Sequence, residues 1–187
     1  MRALVVYESM FGNTRTVAEA IGAGLAPTCQ VDVVRVDEVA PGQVETADLL
    51  VVGAPTHVWG LSRPSTRRGA AQQAADPKRT LTLEPGATGS GLREWLTRLP
   101  EDNCPKNHRP ENHCAVAVFD TRVEMPSALT GRASRRIARA LRDHGRRLVA
   151  RPESFLVTKA TRLVPGELER ARAWGAELGA VRAPAGR

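Results

Sequence analysis

The sequence predicts an α/β fold: a doubly wound, five-stranded parallel sheet with helices on both faces. Short apolar runs rich in β-branched residues recur along the chain, amphipathic stretches lie between them, and Gly, Pro and Asn punctuate the joins. Strands alternating with helices in this way imply parallel pairing through right-handed crossovers. "RALVVYE" (2–8) reads as a buried strand, and "TRTVAEAIGAGLA" (14–26) as a helix whose Val17, Ile21 and Leu25 share a face, closed by Pro27. "QVDVVRV" (30–36) and "ADLLVVGAP" (47–55) are the second and third strands. "PSTRRGAAQQAA" (64–75) is a helix with Pro64 at its start. "GLREWLTRLP" (91–100) is a short helix within an irregular insertion at about 76–112. "HCAVAVFD" (113–120) and "ESFLVTK" (153–159) complete the sheet. A long helix is expected over 127–145 and a last one over 165–181. Residues 1–182 then form one domain and 183–187 a frayed tail.

A chain of 187 residues with 42% hydrophobic and 25% charged residues can bury a sizeable core. No apolar run approaches the roughly 20 residues that cross a bilayer, so no membrane association is expected. The N-terminus lacks the tripartite pattern of a signal peptide. Cys29, Cys104 and Cys114 are odd in number and form no CxxC, which fits a reducing cytoplasm. The net charge of +7 is concentrated late: residues 122–187 carry 15 Lys+Arg against 6 Asp+Glu. Seven arginines (132, 135, 136, 139, 142, 146 and 147) fall on one arc of the expected 127–147 helix, a stripe suited to an acidic protein or a nucleotide tail. No aromatic residue interleaves with it, which argues against nucleic-acid stacking. Cys104, His108, His113 and Cys114 have spacings near those of zinc ligands. Cys114 should begin a buried strand with His113 on the opposite face, so no metal site is assigned. GxSxG, Walker lysine and GxGxxG motifs are missing.

In a doubly wound sheet, ligands bind beyond the carboxyl ends of the strands. That rule selects loops 8–14, 54–63 and 119–126. In the first, the turn into the helix offers unpaired N–H groups and partial positive charge to an anion, and Gly12 admits a close backbone approach. Ser9, Asn13 and Thr14 add side-chain donors; the competing reading is a plain helix cap on Asn13 or Ser9.

"SMFGNT" (9–14) resembles the flavodoxin phosphate loop, Ser/Thr-x-Thr-Gly-x-Thr after the first strand. It matches at Ser9, Gly12, Asn13 and Thr14 and departs at Phe11. Arg15 is a second departure, placed either to pair with phosphate or to face solvent. "GAPTHVWGLSRP" (53–64) resembles the second loop of that family, and "FDTRVEMP" (119–126) occupies the position of the third. The resemblance implies non-covalently bound FMN. Its phosphate would lie on Ser9, Met10, Phe11, Gly12, Asn13 and Thr14. Its ring would lie between Pro55, Thr56, His57, Trp59 and Gly60 on one side and Asp120, Thr121 and Arg122 on the other. Trp59 is the expected stacking ring, and His57 a candidate proton relay. The only tyrosine is Tyr7, so the second flavin face is expected to be open or covered by Val123 or Met125. Arg122 can stabilise an anionic reduced flavin. The implied function is electron transfer, or FMN-dependent reduction of a quinone-like acceptor, with a redox protein or NAD(P)H as partner. Basic character counts against an ordinary carrier. A flavin-free module that binds an acidic protein or nucleic acid through the arginine stripe remains the alternative, and the sequence leaves the oligomeric state open.

Overall fold

The computed structural model of the protein describes residues 1–99 and 115–180. In chain order these hold β1 (Arg2–Tyr7), α1 (Asn13–Leu25), β2 (Gln30–Arg35), β3 (Leu49–Pro55), α2 (Pro64–Ala75) and α3 (Leu92–Arg98). There follow β4 (Ala115–Val123), α4 (Ser127–Thr130), α5 (Ala133–Asp143), β5 (Arg147–Leu148), β6 (Glu153–Val157) and α6 (Glu167–Ala180).

All strand pairs are parallel, in the order β2-β1-β3-β4, and both β5 and β6 lie along the free edge of β4. β5 stands opposite Ala115 and Val116, and β6 opposite Phe119–Val123. The sheet therefore has five positions, as expected, with the fifth filled by two segments. Pro152, which has no N–H to give a ladder, separates them. Two residues, Arg147 and Leu148, are too short a run to show a period, and the sequence reading missed β5.

Because side chains alternate along a strand, each strand feeds two cores. Ala3 and Val5, Leu49 and Val51, Ala117 and Phe119 meet Val17, Ile21 and Leu25 of α1 and Trp174 and Leu178 of α6. Leu4 and Val6, Leu50 and Val52, Val116 and Val118 meet Leu92 and Leu96 of α3 and Ile137 and Leu141 of α5. Each fully buried side chain of this size stabilises by about 1.5–3 kcal/mol relative to exposure. Phe119, Phe155 and Trp174 form an edge-to-face triangle with centroids 6.1–6.5 Å apart, which clamps α6 to the sheet.

The expected 127–145 helix is interrupted. Gly131, with φ 74° and ψ −172°, separates the four-residue α4 from α5, a conformation that side chains rarely adopt. A Cβ there would lie 2.5 Å from Trp59 Cα, because the two backbones bridge. The arginine stripe shrinks with the helix. Arg135, Arg136, Arg139 and Arg142 are exposed on α5, Arg132 is half-buried before it, Arg146 is buried beyond its end and Arg147 belongs to β5. Cys104, His108, His113 and Cys114 lie outside the described residues, among which no metal-binding group of His, Cys, Asp or Glu occurs. No described helix is long and apolar enough to cross a membrane.

Phe119 is fully buried at the centre of the α1/α6 face. Phe119→Ala is expected to cost about 3–5 kcal/mol in denaturant unfolding, whereas Leu168→Ala, on the exposed side of α6, should cost well under 1 kcal/mol.

Candidate functional site

The carboxyl ends of β1, β3, β4 and β6 open into one cleft of ≈ 260 Å³. The first loop contributes Met10, Phe11, Asn13 and Thr14, the second Pro55, Thr56 and His57, and the third Thr121, Arg122 and Val123. Thr66, Ala70 and Gln73 of α2, and Val157, Thr158 and Thr161 at the end of β6 and beyond it, complete the wall. Six threonines and one arginine line the cleft, and no carboxylate does among the described residues. Such a wall suits a ligand rich in oxygen atoms and negative charge.

Gly12, at φ 89°, is the left-handed residue that turns β1 into α1. The nearest atom to a Cβ built there, outside its neighbours, is Glu84 Oε1 at 3.8 Å, an ordinary contact, so the left-handed backbone rather than crowding is what calls for glycine. Ser9 is buried, and its Oγ accepts the Gly12 N–H at 3.2 Å, holding the turn. The first-turn N–H groups of α1, on Asn13, Thr14 and Arg15, have no acceptor within the helix. Thr14 and Thr121 share a hydrogen bond at 2.7 Å that joins the first and third loops, and Asn13 Nδ2 donates to the Thr161 carbonyl at 3.0 Å. Met10 is buried against Ala70 and Ala87, with Phe11 and Leu83 alongside. Arg15 is engaged with acids: it pairs with Glu19 at 2.8 Å and Glu84 at 3.6 Å.

The second loop is a two-residue hairpin. His57 N–H donates to Gly60 O at 2.7 Å, and Gly60 N–H returns to His57 O at 2.9 Å. Its two tip residues, Val58 at φ 37° and Trp59 at φ 69°, occupy a region that favours Gly and Asn. Each costs on the order of 1–3 kcal/mol in strain. Val58 is 82% and Trp59 55% exposed. Trp59 is not among the residues that wall the cleft; its backbone bridges to Gly131. Thr56 Oγ1 accepts the Ala133 N–H at 3.0 Å and so caps α5.

Asp120, fully buried, also serves α5: its Oδ2 accepts the Ser134 N–H at 2.8 Å. It lies outside the cleft wall. Arg122 donates to the carbonyls of Val123 (3.3 Å) and Met125 (2.6 Å), while its Nε–H is buried with no partner among the described residues. His57 Nε2 is likewise buried and unpartnered. Of the expected residues, the wall thus gathers Met10, Phe11, Asn13, Thr14, Pro55, Thr56, His57, Thr121 and Arg122, with Ser9 and Gly12 shaping the turn beneath. The sequence reading missed Thr158 and Thr161. "LVTKATR" ends a strand next to β4, so the carboxyl-end rule applied to the fifth strand would have found them.

A buried polar layer underlies the cleft, also unforeseen. Glu8 Oε2 accepts the Leu92 N–H at 2.7 Å, and Arg67, 3% exposed, pairs with both oxygens of Glu94 at 3.2 Å and donates to Ser62 at 3.0 Å. Burial pushes the Glu8 carboxyl up, and the Ser62 hydroxyl, the Leu92 N–H and the Arg67 charge offset only part of this. Burial likewise raises Asp120 against the hydrogen bonds of Ser134 and Ser154. Burial, aided by the Arg67 charge, lowers His57 and keeps its imidazole neutral near pH 7. Burial would raise Glu94 as well, but its hydrogen bonds to Arg67 and to the Gly91 N–H outweigh that and hold it low.

Comparison with known proteins agrees with the fold. The flavodoxin family model matches residues 5–82, which span the first two loops. An archaeal flavodoxin structure superposes with a TM-score of 0.61 at 18% identity, covering 96% of each chain. The Streptococcus pneumoniae flavodoxin gives 0.59 at 16% identity, over 96% of this chain and 99% of that one. Rubredoxin oxygen:oxidoreductase from Desulfovibrio gigas gives 0.56 at 15% identity, over 95% of this chain and 35% of that one. No curated protein sequence matches.

Glu8 and Asp120 fix the sign of a pH effect. Their native carboxyls hold protons that the unfolded chain releases, so their contribution is full at low pH. It is lost as pH climbs from the ordinary carboxylate range through the raised one. Each group should add a slope of up to about 1.4 kcal/mol per pH unit there. Urea unfolding at stepped pH should show it, and Glu8→Gln and Asp120→Asn should each flatten it.

Proposed function

We propose, from the premise that this chain is a flavodoxin-like protein, that it binds FMN non-covalently at the cleft and passes reducing equivalents to a quinone-like acceptor. The observation that carries this reading is the cleft wall: six threonines and Arg122, no carboxylate, and the left-handed Gly12 turn opening beside it. Those residues fit the group. The α1 N-terminus supplies N–H donors for a terminal phosphate, Gly12 makes the left-handed turn that leads into it, and the unpartnered Arg122 Nε–H and His57 Nε2 supply a donor and an acceptor for ring heteroatoms.

FMN, when bound, supplies a ring that accepts and gives up electrons singly or in pairs. Around it, Arg122 would place positive charge where the reduced ring becomes anionic. His57, held neutral by burial, would accept or relay a proton at Nε2. Trp59, exposed at the tip of the strained 57–60 hairpin next to His57, would cover one face. The third loop presents Thr121, Arg122 and Val123 to the cleft and no aromatic ring. The second face is then left to a substrate, which favours a reductase over a simple carrier, with NAD(P)H or a redox protein as donor.

Protein purified without added flavin is expected to be yellow, or to become so on titration with FMN, with 1:1 stoichiometry. Gly12→Val, which forces a β-branched side chain into the left-handed turn, should abolish that affinity, with circular dichroism and cooperative unfolding checking that the variant stays folded. Folded protein that binds FMN equally well with valine there contradicts the assignment. Replacing Val58–Trp59 by Asn-Gly should raise the melting temperature by a few degrees, by relieving the left-handed strain, yet weaken FMN binding about tenfold. Unchanged FMN affinity in that variant would remove Trp59 from the site.

A further inference from the structure

Behind the 57–60 hairpin lies a second hollow, of ≈ 200 Å³, walled by the hairpin, the start of α2, α3 and α5. Arg63, Arg93 and Arg136 border it, and no carboxylate does among the described residues. Arg93 is fixed by donating from Nε and Nη2 to the carbonyls of Ser62 and Leu61, both at 2.9 Å, and these neutral acceptors leave its charge uncompensated. The guanidinium groups of Arg63 and Arg136 have no ion-pair partner among the described residues. Arg136 lies flat against Gly60: a Cβ there would stand 2.5 Å from its Nε and 2.6 Å from its Cδ. The missing side chain at position 60 therefore lets Arg136 reach the hollow. His57 and Thr66 belong to the walls of both the hollow and the cleft, so the two cavities adjoin.

Three guanidiniums without a carboxylate partner border one hollow, Arg63 and Arg136 from its exposed side, and an oxyanion placed between them takes charge-assisted hydrogen bonds. The hollow is large enough for a phosphate, pyrophosphate or carboxylate group. We propose that this hollow is an anion subsite that takes the phosphate or carboxylate group of the molecule exchanging electrons at the adjacent cleft. Its position at the cleft rests on the FMN reading; its anion affinity does not.

Inorganic pyrophosphate, titrated calorimetrically into the full chain with and without saturating FMN, tests the subsite. The expected result is binding that Arg63→Gln/Arg136→Gln weakens at least tenfold and Gly12→Val leaves unchanged, with FMN affinity intact in the double variant. Absence of binding, or equal affinity in the double variant, overturns the proposal. Loss of pyrophosphate only in Gly12→Val would put the anion on the 9–14 loop, overturning the subsite and leaving the FMN reading intact. Loss only in the double variant of a chain that never takes FMN would support the subsite and sink that reading. Displacement of pyrophosphate by NADH or NADPH identifies the anion as the reductant's, and displacement by a carboxylated naphthoquinone as the acceptor's. Displacement by none of them separates the hollow from electron exchange and overturns the proposal as stated.

Discussion

From β1 the chain leaves the sheet toward the face covered by α1 and α6, and from β3, paired along the other edge of β1, it leaves toward the face covered by α3 and α5. Neighbouring parallel strands whose connections depart in opposite directions cannot close over their own ends, and a crevice opens between them. The cleft lies there because of this reversal of winding. The loops around it then carry chemistry on a rigid base, since the strands beneath them are buried on both faces.

What surrounds the crevice is held by polar contacts between loops distant in sequence. Thr14 meets Thr121, Asn13 meets Thr161, and Thr56 and Asp120 together hold the start of α5. Beneath them the Glu8–Arg67–Glu94 layer ties β1 to α2 and α3. Such a layer is costly to bury unless every member finds a partner. Arg67 takes Glu94 and the Ser62 hydroxyl, and Glu8 and Glu94 take two backbone N–H groups, while Glu8 Oε1 and Arg67 Nε are buried without a hydrogen-bond partner among the described residues. The loops of the site are thus pre-positioned, and the strain they retain is concentrated at Val58, Trp59 and Thr161.

Most of the architecture was legible in the chain because period-2 and period-3.6 patterns survive wherever one face is buried. The helix at 64–75 was read to the residue, and the first four strands were read to within a few residues. The 127–145 segment misled because its composition is helical throughout and the break is imposed from outside, by the approach of Trp59 to Gly131. The candidate site was legible where a residue type is demanded by backbone geometry, as at Gly12, or by a hydroxyl in the first turn of a helix, as at Thr14. It was illegible where function depends on pairing across the fold. Nothing local marks Asp120 as a helix anchor rather than a ligand contact, or Arg67 as the most buried of the arginines around the second loop.

The central claim is that the turn from β1 into α1 is built for a terminal phosphate, and comparing two ligands that differ only in that group tests it directly. The affinities of FMN and riboflavin should be measured side by side by quenching of flavin fluorescence at fixed ionic strength. Two or more charge-assisted hydrogen bonds to the phosphate, each worth about 1.5–3 kcal/mol, predict that FMN binds at least about 100-fold more tightly. Equal affinities would show that the turn ignores the phosphate and would contradict the account.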